Sequence, residues 1–184
     1  MLARSRHAVA RFDLAVDAAF DRLRGHKVAD RIFYGASELG DFSLIWLLLA
    51  SARSLRSERD ATAALRVAVG AAAESVLVNG VIKMFFRRTR PPWDVVRPHR
   101  LRRPLTSSFP SGHATSAFSS AILLSEDDAL WPAYFAIATV VASSRVYVKI
   151  HHASDVLAGM GVGMVLGAVG RKLLPLPPQD GGAP

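Results

Sequence analysis

The stretch SSFPSGHATS, residues 107–116, brings a proline, two small residues and a histidine to the start of an apolar run. That run continues to residue 125 and is rich in alanine and serine. Small residues let helices approach closely in lipid. The stretch therefore predicts a helix that packs inside a membrane bundle and has polar groups at its first turn.

Five apolar segments predict an all-α integral membrane bundle. They cover residues 32–52, 61–86, 111–125, 130–148 and 154–174. A helix that crosses a membrane needs roughly 20 residues, with a range of about 17–25, so only the third segment is short. No strand-like alternation competes with this interpretation. We expect about five transmembrane helices in one membrane domain, residues 32–174.

The two ends of the chain differ from this domain. Residues 1–31 lack the unbroken apolar core of a secretory signal. A stripe of apolar residues at helical spacing runs along them instead: Val9, Phe12, Val16, Phe20 and Leu23. Such an amphipathic helix lies in the plane of the membrane interface or packs on the protein's own helices, and both alternatives stay open. We expect the proline- and glycine-rich residues 175–184 to be disordered.

Charge and composition narrow the function classes. The formal charge of +8 fits nucleic acid, an anionic membrane surface or a phosphorylated substrate. The mean hydropathy of +0.23 favours the membrane. Because the chain has no cysteine, disulfides, thiolate nucleophiles and cysteine-bound metals are excluded. The arginine-rich loop 87–110 is tied between two membrane segments, so we expect no nucleic acid partner.

Three polar clusters fall on one membrane face if each segment crosses once. They are KMFFRRTRP at 83–91, PSGH at 110–113 and SRVYVKIHHASD at 144–155. The amphipathic N-terminal helix falls on the same face. Polar residues that are distant in the sequence are thus predicted to meet at one membrane depth.

The first property of these clusters is a set of anion-binding groups. Lys83, Arg90 and Arg145 are cations near the hydrocarbon boundary, where unpaired charge is costly and an anion is expected. Ser111 and Gly112 open a helix, whose free N–H groups attract anions. Guanidinium forks and a lysine charge suit phosphate oxygens. These five residues predict a phosphate site.

The second property is a pair of histidines. His151 and Asp155 stand four residues apart, so a carboxylate can hold one imidazole nitrogen and leave the other as a nucleophile. His113 can then protonate the leaving oxygen as a general acid. His152, the next residue, is the alternative candidate for the nucleophile. No metal is needed if three cations neutralise the phosphoryl group.

Other polar residues are weaker candidates. Four are interpreted as supporting or headgroup-binding residues: Glu38, Asp41, Glu74 and Asn79. The other loop arginines are predicted to contact lipid headgroups rather than to catalyse: Arg87, Arg88, Arg97, Arg100, Arg102 and Arg103. Snorkelling from helix ends is an alternative role for Lys83 and Arg90.

The spacing K-x6-RP, then PSGH, then SR-x5-H-x3-D, found here over residues 83–155, resembles the type 2 phosphatidic acid phosphatase (lipid phosphate phosphatase) superfamily. The resemblance implies a helical bundle and cofactor-free, metal-independent phosphate hydrolysis through a phosphohistidine. It implies that His151 is the nucleophile, Asp155 its orienting partner and His113 the acid. It also implies a set of phosphoryl ligands: Lys83, Arg90, Ser111, Gly112 and Arg145.

The distribution of basic residues indicates the orientation. Of the 23 lysines and arginines, 17 lie on the face with the three clusters and six on the other. By the positive-inside rule, the site faces the cytoplasm at the cell (inner) membrane.

A cytoplasmic site favours a lipid phosphate that is made inside the cell. The resemblance suggests a polyprenyl-phosphoryl sugar phosphate, such as decaprenylphosphoryl-5-phosphoribose in cell-wall precursor synthesis. Undecaprenyl diphosphate and phosphatidylglycerophosphate are alternatives, and a non-catalytic lipid-phosphate carrier is an alternative of another class. Membrane lipids are expected partners, and the glycine-rich segment 154–174 offers a surface for oligomer contacts.

Overall fold

The computed structural model describes residues 2–92, 101 and 106–178, and over these residues the chain is helical without strands. The described helices are α1 (Leu2–Asp21), α2 (Lys27–Leu39), α3 (Leu44–Ser54), α4 (Glu58–Phe85), α5 (Gly112–Leu124), α6 (Trp131–Tyr147) and α7 (Ala153–Leu173). The predicted all-α class is confirmed. The helices α4 to α7 begin and end within three residues of the predicted segments.

Some predictions fall on residues outside this description. They concern the side chain of Asn79, the loop arginines Arg97, Arg100, Arg102 and Arg103, and residues 179–184 of the tail.

The described helices include fewer candidate membrane spans, judged by length and composition, than the five crossings predicted. Among the described helices, α4 and α7 are long and apolar enough to cross a membrane, and α2 with α3 adds a third if that bent pair counts as one span. The pair bends by 71°, where Phe42 and Ser43 adopt positive φ values of 54° and 59°. Segment 32–52 is therefore not one straight helix. With 13 residues, α5 falls short of a full span, and α6, with 17, lies at the lower limit, so five crossings stays a prediction.

Helix α5 is the centre of the bundle, with ten of its 13 residues buried. Helix α7 packs along it through Gly159, Gly163 and Gly167. A Cβ atom at Gly163 would lie only 2.3 Å from the Thr115 carbonyl oxygen, so this contact requires glycine. The glycine stripe is used inside the chain, and an oligomer contact through α7 would have to use another face of that helix.

The amphipathic helix α1 contacts α6 and α7. Val16 and Phe20 pack against the core, whereas Phe12 and Leu23 on the same stripe are 42% and 45% exposed. One part of the stripe packs on the protein and the other faces outward. Asp13 is buried between α1 and the start of α7, where its carboxylate accepts from the Ser154 N–H.

The opposite end of the bundle is held by ion pairs. Buried Arg53 lies 2.5 Å from Asp60 and 3.4 Å from Asp128. Buried Arg66 lies 2.7 Å from Glu126. These pairs join α3, α4 and the turn between α5 and α6, so they stabilise the packing of that end.

Candidate active site

His151 lies in the short loop between α6 and α7 and is 4% exposed. Its Nδ1 lies 2.7 Å from the Ser108 carbonyl oxygen, which only accepts, so Nδ1 carries the proton. Its Nε2 lies 3.2 Å from Arg90 Nη1, which only donates, so Nε2 presents its lone pair. The ring is thus held with its unprotonated nitrogen toward a predicted phosphate ligand.

The surroundings of His151 keep the imidazole neutral. Burial lowers the pKa of His151 to about 3; the Asp155 carboxylate opposes this shift, and the positive charges of Arg145 and Arg90 reinforce it. A lowered pKa means that Nε2 stays unprotonated at every pH well above 3. That is the protonation state required of a nucleophile.

Asp155 contacts the histidine less directly than the sequence predicts. Its Oδ2 lies 3.8 Å from His151 Nδ1, which is too long for a hydrogen bond. Oδ2 accepts instead from the Ser108 hydroxyl and, at 2.9 Å, from the His152 backbone N–H. Ser108 therefore stands between the two residues: its carbonyl holds the imidazole and its hydroxyl binds the carboxylate.

Two of the predicted cations contact Thr106 and Ser107, in the loop just before the PSGH motif. Lys83 Nζ, at the end of α4, lies 3.4 Å from Thr106 Oγ1. Arg90 donates to the carbonyl oxygens of Thr106 at 3.2 Å and Ser107 at 3.1 Å. Lys83 follows a stretch of wider π-helical turns, Ser75–Ile82, a feature that is frequent near functional sites.

The third cation, Arg145, connects the two histidines. It is buried near the end of α6, and its carbonyl oxygen accepts from the His151 backbone N–H at 3.0 Å. Its guanidinium donates to the Ser37 hydroxyl. The Ser37 carbonyl oxygen lies 3.3 Å from His113 Nε2, and Asp41 Oδ1 lies 3.0 Å from the same nitrogen. Since both neighbours accept, Nε2 of His113 carries a proton.

The bend between α2 and α3 creates the environment of His113. A Cβ atom at Gly40 would lie 2.7 Å from His113 Cδ2, so glycine is needed for this approach. Phe42 and Ser43 follow in the left-handed region, which costs conformational energy and is common at functional sites. Asp41, predicted from the sequence as a headgroup contact, is thereby brought to His113.

Ser111 and Gly112 open α5 at the predicted position. However, the Ser111 N–H donates to the Asp155 carbonyl oxygen at 3.0 Å, so it is engaged within the fold and not open to phosphate. The Ser111 hydroxyl is buried without a hydrogen-bond partner among the described residues. Gly112 is the first helical residue, where N–H groups lack an acceptor within the helix. The predicted anion site at this helix start therefore depends on Gly112 rather than on the Ser111 N–H.

Two carboxylates have no direct bond to the histidines among the described residues. Glu38 is exposed, and Glu74 is buried in α4. No hydrogen bond or ion pair joins either side chain to the histidines among the described residues. Glu74 interacts electrostatically with Lys83, and the supporting roles of both carboxylates stay predictions.

Sequence reasoning missed the role of Arg88, which it assigned to lipid headgroups. Its Nη1 lies 2.6 Å from Asp155 Oδ1 and its Nη2 lies 2.6 Å from Asp13 Oδ2. It also missed Ser108. The only sequence signal for either residue is its position, two residues before Arg90 and two before Pro110.

Comparison with known proteins matches this sequence to a family. A model described as the PAP2 superfamily matches residues 63–175, which include the histidines and cations described above. A Mycobacterium tuberculosis protein (strain CDC 1551 / Oshkosh) named decaprenylphosphoryl-5-phosphoribose phosphatase is 32% identical over 136 residues, which are 73% of this chain and 75% of that protein.

Two solved structures share the fold. Aquifex aeolicus LpxE has a TM-score of 0.65 at 28% identity, over 86% of this chain and 94% of its own. The PAP2 type phosphatidylglycerolphosphate phosphatase of Bacillus subtilis has a TM-score of 0.65 at 23% identity, over 90% and 86%. The likeness therefore covers nearly all of the chain, including the N-terminal part that precedes the family match.

Proposed function

The chain belongs to the PAP2 superfamily, and on this premise we propose that it hydrolyses a lipid-linked phosphate monoester through a phosphohistidine at His151. Its membership makes it a membrane-associated hydrolase that acts on lipid phosphates. The observation that supports the proposed chemistry is the orientation of His151. Nδ1 is fixed by the Ser108 carbonyl, while the lone pair of Nε2 points to Arg90.

In the first step, Nε2 attacks the phosphorus atom of the monoester, and the bond from phosphorus to the substrate's ester oxygen breaks. His113 acts as the imidazolium: it gives one proton to the leaving alkoxide and becomes the neutral imidazole. Arg90, Lys83 and Arg145 bind the phosphoryl oxygens, and a bound phosphoryl group takes the Arg90 donors away from Nε2. The positive charge that develops on the imidazole is stabilised by the nearby Asp155 carboxylate.

In the second step, water attacks the phosphohistidine. His113, now the neutral imidazole, takes a proton from the water as the N–P bond breaks and becomes the imidazolium again. The bonding electron pair returns to Nε2, and inorganic phosphate leaves. The cycle restores both histidines and requires no metal in these steps, because cations of the chain neutralise the phosphoryl group throughout.

Among lipid phosphates, we propose decaprenylphosphoryl-5-phosphoribose, in cell-wall precursor synthesis, as the substrate. The name and coverage of the mycobacterial relative support this choice. Phosphatidylglycerophosphate is the second candidate, but its support is weaker because the Bacillus subtilis neighbour is below 25% identity and indicates only the fold.

We expect the purified protein in detergent to release phosphate from decaprenylphosphoryl-5-phosphoribose faster than from phosphatidylglycerophosphate or undecaprenyl diphosphate. The rate should be the same with a metal chelator present, because cations of the chain neutralise the phosphoryl group. The measurement is inorganic phosphate released per enzyme from each lipid. Binding of all three lipids without any release would identify a lipid-phosphate carrier and reject the proposed enzyme.

We also propose that the five predicted segments each cross the inner membrane and that the site faces the cytoplasm. The support is the bias of 17 against six basic residues between the two faces. A reporter fused after α7 should then be found outside the cell, and one inserted between α4 and α5 inside. The comparison of a periplasm-active and a cytoplasm-active reporter at each position measures this. A cytoplasmic reporter after α7 would overturn the orientation.

A further inference from the structure

Arg88 lies between two buried carboxylates. Its two terminal nitrogens lie 2.6 Å from Asp155 Oδ1 and 2.6 Å from Asp13 Oδ2. Asp155 is 0% exposed and Asp13 is 6% exposed. A buried carboxylate that loses its cation is strongly disfavoured. Arg88 therefore provides the positive charge that both buried carboxylates face.

Arg88 also determines how the Asp155 carboxylate is rotated. Oδ2 accepts from the Ser108 hydroxyl and the His152 backbone N–H, and Oδ1 accepts from Arg88. Because both oxygens accept hydrogen bonds, the carboxylate group of Asp155 cannot rotate freely about its bond to Cβ. Because the Ser108 carbonyl holds Nδ1 of His151, a rotation of the carboxylate would shift Ser108 and tilt the imidazole.

Asp13 fixes Arg88 in turn through a closed ring of hydrogen bonds with the first turn of α7. Its Oδ1 accepts from the Ser154 N–H at 2.8 Å, and its Oδ2 accepts from the Ser154 hydroxyl at 2.9 Å. Arg88 Nη1 donates to the same hydroxyl at 2.8 Å. The ring joins α1, the loop after α4 and α7, three segments that are distant in the sequence.

We propose that Asp13 and Arg88 are positioning residues for the catalytic centre. Helix α1, which carries Asp13, then contributes to catalysis as well as to packing. They act through Asp155 and Ser108 on the angle of the His151 ring, and neither binds the substrate. This inference rests on the proposed nucleophilic role of His151.

The test compares Asp13→Asn and Arg88→Gln with Asp17→Asn. Asp17 lies one turn further along α1 and pairs with Arg24 at 2.6 Å and Lys149 at 3.2 Å, away from Asp155. We expect kcat for phosphate release to fall about 10- to 100-fold in the first two variants, with KM within about threefold of the wild type. Arg88→Lys should recover part of kcat because it keeps the charge. Asp17→Asn should stay within about twofold.

A rise in KM with unchanged kcat would make these residues substrate ligands and overturn the proposal, as would unchanged kinetics. Thermal unfolding in detergent identifies a variant that fails to fold. If Arg88→Gln fails in this way, Arg88→Lys and Asp13→Asn decide the question, because each keeps a polar group of similar length.

A second measurement does not require turnover. Removal of the Arg88 charge leaves the charge of Asp155 less neutralised, so the pKa of His151 should rise from about 3. In NMR spectra of histidine-labelled protein at about pH 4, Arg88→Gln should show more protonated His151 than the wild type or Asp17→Asn. An unchanged fraction would overturn the proposal. A wild type that releases no phosphate would reject the proposed function, while this titration would still decide the positioning.

Discussion

His151→Asn should lose phosphate release by at least about 10⁴-fold in kcat, because the substitution removes the nucleophile on which both chemical steps depend. An asparagine side chain can still donate to the Ser108 carbonyl, so the local fold is expected to remain. Its amide offers no nucleophilic lone pair in the place of Nε2. The measurement is phosphate released from a lipid phosphate under saturating conditions.

His152→Asn is the matched control, since it alters the neighbouring imidazole. The His152 ring contacts the Thr89 carbonyl oxygen at 3.3 Å, and asparagine is well suited to its position before α7. We expect near wild-type release from this variant. After a brief reaction, intact-protein mass measurement should find a phosphoryl group on the wild type and not on His151→Asn. Full activity in His151→Asn together with loss in His152→Asn would transfer the nucleophilic role to the rival histidine.

The alternation of apolar segments predicted that the three polar clusters lie close together, and hydrogen bonds join the first and the second cluster to the third. Helices begin at Gly112 and Ala153, as the sequence indicates, so PSGH and the third cluster lie at helix starts. Arg90 approaches His151 through its side chain, and the Arg145 carbonyl oxygen accepts from the His151 N–H. That both guanidinium groups bind phosphoryl oxygens stays a prediction. The family assignment, based on the same residues, is confirmed by the match over residues 63–175.

The contacts that the sequence did not predict involve backbone atoms or long separations. Ser108 holds His151 through a carbonyl oxygen, a group that every residue possesses and that therefore leaves no mark in the sequence. Arg88 and Asp13 are 75 residues apart, and helical spacing says nothing about such a pair. Asp41 reaches His113 because Phe42 and Ser43 adopt left-handed backbone conformations, which residues of these types rarely do.

The contact between Asp41 and His113 leads to the second large expected effect. His113→Asn should slow release from an alkyl phosphate by about 10²- to 10⁴-fold, because the leaving alkoxide is strongly basic and needs a proton. The same variant should have a much smaller effect on p-nitrophenyl phosphate, whose leaving group is weakly basic and departs without a proton. The ratio of the two losses therefore measures proton donation separately from substrate binding.

Asp41→Asn provides the matched comparison on the same substrates. Asp41 Oδ1 lies 3.0 Å from His113 Nε2, so the carboxylate both orients the ring and stabilises its protonated form. We expect Asp41→Asn to show the same dependence on the leaving group as His113→Asn, with a smaller loss. If His113→Asn instead slows both substrates equally, His113 does not protonate the leaving group. The bend that joins Asp41 to His113 would then serve to bind the phosphoryl group, and the acid would have to be sought elsewhere in the site.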